Sequence, residues 1–121
     1  GVYDIPAKKV VVREGELHDA MYFIKRGEVE VTHDDAGVQV FINKLGPGEF
    51  FGEIAALEGG PRRASVRAVT DLEVFRIARD DLQPILEASP EVKERLTRAM
   101  RARSVELKRR IAEQRRVLAA T

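Results

Sequence analysis

The sequence predicts an α+β domain: an antiparallel, jelly-roll-like β-roll closed by C-terminal helices. Three observations lead there. All nine glycines fall within the first sixty residues, where they separate short apolar runs in the manner of turn-linked strands. Some of those runs alternate apolar and polar residues, as strands with one buried face do. After Pro90 neither Gly nor Pro interrupts the chain, and a stretch so free of breakers reads as helix.

The strands follow in order. Residues 8–13 (KKVVVR) run into a turn at Glu14–Gly15–Glu16, and residues 21–25 (MYFIK) into Arg26–Gly27. In residues 28–32 (EVEVT), Val29 and Val31 share one face and Glu28 and Glu30 the other. Residues 34–37 (DDAG) make a hairpin turn and residues 38–45 (VQVFINKL) the return strand, which Gly46–Pro47–Gly48 ends. Residues 65–69 and 72–77 supply two more strands, so the whole set fits a small closed roll. Asp80 or Asp81 can cap a short helix through Leu86. Ser89, Pro90 and Glu91 then open a second helix with an N-cap, a proline in its first turn and an acid at its positive end. If fully helical, residues 91–121 reach roughly 46 Å, more than a domain this size needs for its own core. The expected division is therefore a roll with a short helix over 1–90 and a closing helix over 91–121.

Composition narrows the function. The 121 residues make one domain able to bury a core without crosslinks. With 44% hydrophobic and 34% charged residues, the chain is a soluble globular mixture. Its net charge of +1 lacks the basic excess of a dedicated nucleic-acid binder. The absence of Cys excludes disulfides, zinc–thiolate and iron–sulfur sites and a cysteine nucleophile. No apolar run approaches the roughly 18 residues of a membrane span, and no secretory signal is visible. A first residue of Gly rather than Met leads us to expect a piece of a longer chain.

One segment carries chemistry. In residues 51–68 (FGEIAALEGGPRRASVRA), Gly52 permits close backbone approach or an unusual φ, and Glu53–Leu57 form one to two helical turns. A helix start offers unpaired N–H groups and a positive dipole end. Arg62, emerging from a Gly-Gly-Pro turn, adds a guanidinium suited to phosphate, and Glu53 can accept from a sugar hydroxyl. Arg, Glu and a short helix together suit a phosphate attached to a ribose. Residues 62–65 (RRAS) also fit a basophilic kinase site, a minor reading inside a folded segment. Gly46-Pro-Gly48 followed by Gly52 does not have the dinucleotide spacing.

This run resembles the phosphate-binding cassette of cyclic-nucleotide-binding domains, as found in the catabolite activator protein, the regulatory subunits of cyclic-AMP-dependent protein kinase and cyclic-nucleotide-gated channels. The resemblance covers nearly the whole chain, from VVREGE and DAMYFIKRGEVEV through LGPGEFFGEIAAL to the closing helices. It implies that Arg62 pairs with the cyclic phosphate, that Glu53 accepts from the ribose 2′-hydroxyl, and that backbone groups of Gly52, Ile54, Ala55, Ala64 and Arg63 line the phosphate and ribose. Ser65 matches a cassette position that is often Thr or Ser. Arg63 stands where some cyclic-GMP-preferring members carry a Thr that touches guanine. This weakly favours cyclic AMP over cyclic GMP as the regulatory ligand, with no metal.

The last helix has an apolar stripe of Val92, Leu96, Met100, Leu107, Ile111 and Leu118, with Arg103 and Gln114 on the same face. By the resemblance, Arg103 caps the purine, as an arginine of the last helix does in the channel members; the plain alternative is an Arg that snorkels out of the stripe. Residues 91–121 hold ten Lys/Arg against four Glu, which leaves +6 there and −5 on the first ninety residues. Such a helix can dock a partner, approach anionic lipid or nucleic acid, or simply form ion pairs with the acidic roll. It can also make a homo-oligomer as a coiled coil through Leu107, Ile111 and Leu118. His18 and His33 read as surface histidines.

The expected function is a non-enzymic, cytoplasmic cyclic-nucleotide sensor joined to an effector domain of the same longer chain. The effector is a bacterial channel or transporter, or alternatively the DNA-binding part of a catabolite-activator-like regulator. Hydrolysis of the ligand needs a metal-activated water or a strong base, for which two histidines far apart in sequence are poor candidates.

Overall fold

The computed structural model describes residues 1–120. Eight strands and three helices follow one another as β1 (Val2–Ile5), β2 (Val10–Val12), β3 (Met21–Arg26), β4 (Val29–Asp35), β5 (Val38–Leu45), β6 (Phe50–Phe51), α1 (Glu53–Glu58), β7 (Ser65–Ala68), β8 (Leu72–Ile77), α2 (Arg79–Ala88) and α3 (Pro90–Ala119). The strands form two four-stranded antiparallel sheets, ordered β1-β8-β3-β6 and β2-β7-β4-β5. The expected roll is therefore present. Strands β1 and β6 lie outside the sequence reading; pairing with β8 and β3 defines them.

Period-two alternation decides where each strand points. On β3, Tyr22 and Ile24 enter the core inside the roll with Val12, Val29, Phe51, Val66 and Val74. The intervening Met21 and Phe23 face a second core under the helices, with Ala56, Leu82, Leu86 and Leu96. A strand with both faces covered reads as a continuous apolar run, which is what residues 21–24 are. Tyr22 stacks on its cross-strand partner Phe51 at 5.0 Å between ring centroids. The β4–β5 hairpin closes through Ala36 and Gly37, both at positive φ (53° and 88°), as a tight two-residue turn requires.

The helices differ in how they start. No side chain caps α2: Ala78 is its N-cap, and Asp80 and Asp81 instead lie in the first turn, where they favour the dipole. The cap of α3 is as expected, with Val92 N donating to Ser89 Oγ at 3.3 Å and Pro90 opening the helix. Its 30 residues pack against α1, α2 and β5. No described helix is long and apolar enough to cross a membrane.

Leu96 is the one fully buried residue of α3 and joins it to α2 and β3. Leu96→Ala is expected to cost roughly 2–5 kcal/mol in urea unfolding, with amide exchange in α3 rising more than in β3.

Candidate functional site

Gly52 is the hinge of the site. It is the N-cap of α1 at φ 84°, a backbone state favouring Gly. A Cβ there would meet the Ala20 carbonyl oxygen and Arg62 Nη1 at 2.8 Å each. The tightness has a use, since the Gly52 carbonyl accepts both from Ala56 N at 3.2 Å and from Arg62 Nη1 at 3.2 Å.

Arg62 is held as firmly by its backbone. Its N–H donates to Glu16 O and its carbonyl accepts from Gly15 N, both at 2.8 Å. The residue is 5% exposed. Nη2 donates to Ala20 O at 2.6 Å and lies 3.3 Å from His18 Nδ1, while Nε has no partner among the described residues. Burial lowers the Arg62 pKa, and Tyr22, Asp19, Glu53 and Glu16 oppose that.

Glu53, the first residue of α1, is 1% exposed. Its Oε2 accepts from Arg103 Nη1 at 2.5 Å, and its Oε1 is buried without a partner among the described residues. Burial pushes its pKa above the ordinary carboxylate range, against the pull of Arg103, its own backbone N–H and Arg62. Arg103 comes from the middle of α3, with its guanidinium 4.7 Å from the centroid of the Phe50 ring. Twelve residues on, Arg115 makes a two-pronged ion pair with Asp35 at the β4–β5 turn, at 2.8 Å through each oxygen. This pair holds the Asp35 pKa below its usual value.

A cavity lies between the roll, α1 and α3. Gly52, Glu53, Ile54, Ala55, Arg62, Arg63, Ala64 and Arg103 all line it, so the structure gathers eight of the nine residues singled out from the sequence. Ser65 is not among the lining residues, and its Oγ accepts instead from Glu14 N at 3.0 Å, tying β7 to the turn after β2. Arg63 also bonds Glu58 Oε2 at 3.2 Å.

The rest of the lining had escaped sequence reasoning. Val12, Val31, Ile42, Leu45 and Val66 make an apolar wall, Asn43 adds an amide, and Glu106 and Leu107 come from α3. These positions carry no motif; pairing of β4 with β5 and β7, pairing of β2 with β7, and packing of α3 on β5 bring them together. His18, though exposed, lies between two guanidiniums, 3.3 Å from Arg62 Nη2 and 3.0 Å from Arg76 Nη2. A neutral imidazole accepts at one nitrogen, so it serves one arginine at a time. His33 Nδ1 lies 2.9 Å from the Arg63 carbonyl and 3.3 Å from Glu14 Oε1.

The arrangement sets a buried cation beside a buried carboxylate on the rim of an apolar cavity. It can take an anionic group, a hydroxyl donor and a flat apolar body together. Comparison with known proteins agrees. Residues 4–89 match the family model for the cyclic nucleotide-binding domain. The chain belongs to that family and is a cyclic-nucleotide-binding regulatory domain. It is 40% identical over 90 residues to a cyclic nucleotide-gated potassium channel of Rhizobium etli, a match that takes in 74% of this chain and 24% of the channel. It is 30% identical over 104 residues to the cAMP-activated global transcriptional regulator CRP of Salmonella typhimurium, which covers 84% of this chain and 50% of the regulator. Among solved structures, the cAMP-bound form of the EAL enzyme Bd1971 superposes with a TM-score of 0.72 at 27% identity, over 94% of this chain and 32% of that one. The chain thus spans half or less of these proteins.

Glu53→Gln removes the buried charge and keeps the shape. A carboxyl with a raised pKa stabilises the fold fully below its unfolded value and loses that contribution as pH rises through the folded one. Relative to Glu53→Gln, the wild type is therefore expected to be most favoured near pH 4 and to lose ground steadily above 4.5, the ordinary value for Glu. Paired thermal melts from pH 4 to 8 measure it.

Proposed function

We propose that this domain senses cyclic AMP in preference to cyclic GMP and gates a bacterial channel or transporter from its cytoplasmic side. The observation that carries the ligand reading is one cavity rimmed by Arg62 and Glu53, each buried and each with a polar atom, Nε and Oε1, that has no partner among the described residues. Leaving such atoms unmet is costly in a fold that gains nothing from them. Arg62 would take the cyclic phosphate and Glu53 the ribose 2′-hydroxyl, with the purine on the apolar wall and Arg103 at the edge of the lid.

Arg63, with a guanidinium rather than a hydroxyl where it lines the cavity, supports cyclic AMP. The likeness to the Rhizobium etli channel supports the host. A second host, a transcription regulator, draws on a different observation, since the match to CRP runs over 104 residues. The lining also favours binding over catalysis: its carboxylates are Glu53, ion-paired with Arg103, and Glu106.

Thermal melts with cyclic AMP, cyclic GMP and AMP, for the wild type and Arg62→Ala, test the reading. Ligand at about 100 times Kd should add about 2.7 kcal/mol, raising the midpoint by roughly ten degrees in a domain this size. Arg62→Ala should lose the shift. A wild type unmoved by either cyclic nucleotide overturns the proposal, and a larger shift with cyclic GMP overturns the preference.

A further inference from the structure

His18 and a bound anion need the same hydrogens of Arg62. A guanidinium carries its five N–H groups in a fixed planar fork, and each of its two forked edges includes an Nη2 hydrogen. Nη2 of Arg62 has two hydrogens and two acceptors: the Ala20 carbonyl at 2.6 Å and His18 Nδ1 at 3.3 Å. Nη1 donates to the Gly52 carbonyl at 3.2 Å. A two-pronged grip on a phosphate therefore displaces one partner of Nη2. The short, buried bond to the Ala20 backbone is the firmer of the two, whereas His18 is an exposed side chain between β2 and β3. His18 also has another partner at hand. Its Nε2 lies 3.0 Å from Arg76 Nη2 on β8, and a neutral ring accepts at only one of its nitrogens.

We propose that His18 is an internal competitor for Arg62: its Nδ1 lone pair engages an Nη2 hydrogen that an anionic phosphate must take, and ligand binding hands His18 over to Arg76. This rests on the reading that Arg62 takes the phosphate of a cyclic nucleotide. Apparent affinity is reduced by the fraction of molecules in which the ring holds Arg62. Protonation removes the competition, because an imidazolium has no lone pair to offer and is repelled by the guanidiniums of Arg62 and Arg76. The other titratable groups around this pair are Asp19 and Glu16 beside His18 in the chain, Tyr22 from β3 and Glu53 from α1, all acting on Arg62, and the Gly1 amino group, which donates to the Arg76 carbonyl at 3.0 Å. A bound phosphate adds a negative charge that favours the imidazolium. Both effects have the same sign, so affinity rises as pH falls through the titration of His18.

The experiment titrates cyclic AMP calorimetrically into the wild type, His18→Leu and His18→Asn at pH 8 and pH 5.5, an interval in which an imidazole takes up its proton. At pH 8, His18→Leu should bind about three- to tenfold more tightly than the wild type, as for relief from one modest hydrogen bond. At pH 5.5 the wild type should close on His18→Leu. His18→Asn places an amide oxygen where Nδ1 stood; it should bind like the wild type at pH 8 and keep its gap from His18→Leu at pH 5.5. Glu53, whose pKa burial raises, titrates in all three proteins, so the ratios between them isolate His18. His18→Leu binding no more tightly than the wild type at pH 8 overturns the proposal, and so does a gap between them that is the same at both pH values. A merely structural His18 gives the first of these, since its loss weakens binding throughout. His18→Asn as tight as His18→Leu also overturns it, because the acceptor is then not the cause. In each of these cases the wild type still binds, and the sensor reading stands. A wild type that binds no cyclic AMP overturns that reading and this proposal with it.

Discussion

Burial of the Glu53 carboxylate is the constraint around which the rest is arranged. A charge withdrawn from water must be met by opposite charge or donors, or it is protonated. Here the side-chain partner is an arginine that the chain supplies 50 residues later, on Oε2, while Oε1 has no partner among the described residues. That requirement determines where the middle of α3 can lie, because the helix cannot leave the roll without exposing or orphaning the pair. Removing one partner of a buried pair is far more disruptive than the pair itself is stabilising, so the arrangement is better understood as specifying position than as adding stability.

The second constraint is steric and sits at Gly52. The left-handed backbone there turns β6 into α1 and lets the carbonyls of Ala20 and Gly52 close on the Arg62 guanidinium. A residue with a Cβ would strain the turn and push against the Ala20 carbonyl and the Arg62 guanidinium. Glu53 and Arg62 are thus placed by one glycine, since the helix carrying the carboxylate and the carbonyls gripping the cation share its backbone. The β-roll contributes rigidity to this. Pairing of Tyr22 with Phe51 locks β6 to β3, and backbone bonds from Arg62 to Gly15 and Glu16 lock the loop before β7 to the opposite turn.

Helix α3 is fastened in three different ways along its length. Leu96 is held by apolar burial, Arg103 by a partly buried ion pair, and Arg115 by an exposed pair at a hairpin turn. These fastenings grade from strong and non-directional to weak and salt-sensitive. A helix held in this graded way can loosen from its far end inward. The charge division along the sequence serves the same end, since two of the cations of the basic helix meet Asp35 and Glu53 on the acidic roll.

The sequence by itself determined what short-range chemistry can encode. Glycine spacing and alternation gave the strands, because turn conformations and strand faces depend on residues a few positions apart. The Ser89–Pro90 start and the breaker-free tail gave α3, and the residue types from Phe51 to Ala68 marked a site for a phosphate on a ribose, which resemblance then identified as the cassette. Gathering eight of nine expected residues on one cavity needed no more than that run plus Arg103. The tertiary structure alone decided the rest. Strands β1 and β6 exist through their partners, and His18 reached Arg62 across 44 positions. Ser65 was drawn to Glu14 rather than into the cavity. Arg103 could be marked as an anomaly in an apolar stripe, but its partner could not be named, because an ion pair between residues 50 apart leaves no periodicity in the chain. Distances of that kind are set by how two sheets and a helix pack, and packing is a property of the whole chain rather than of any segment of it.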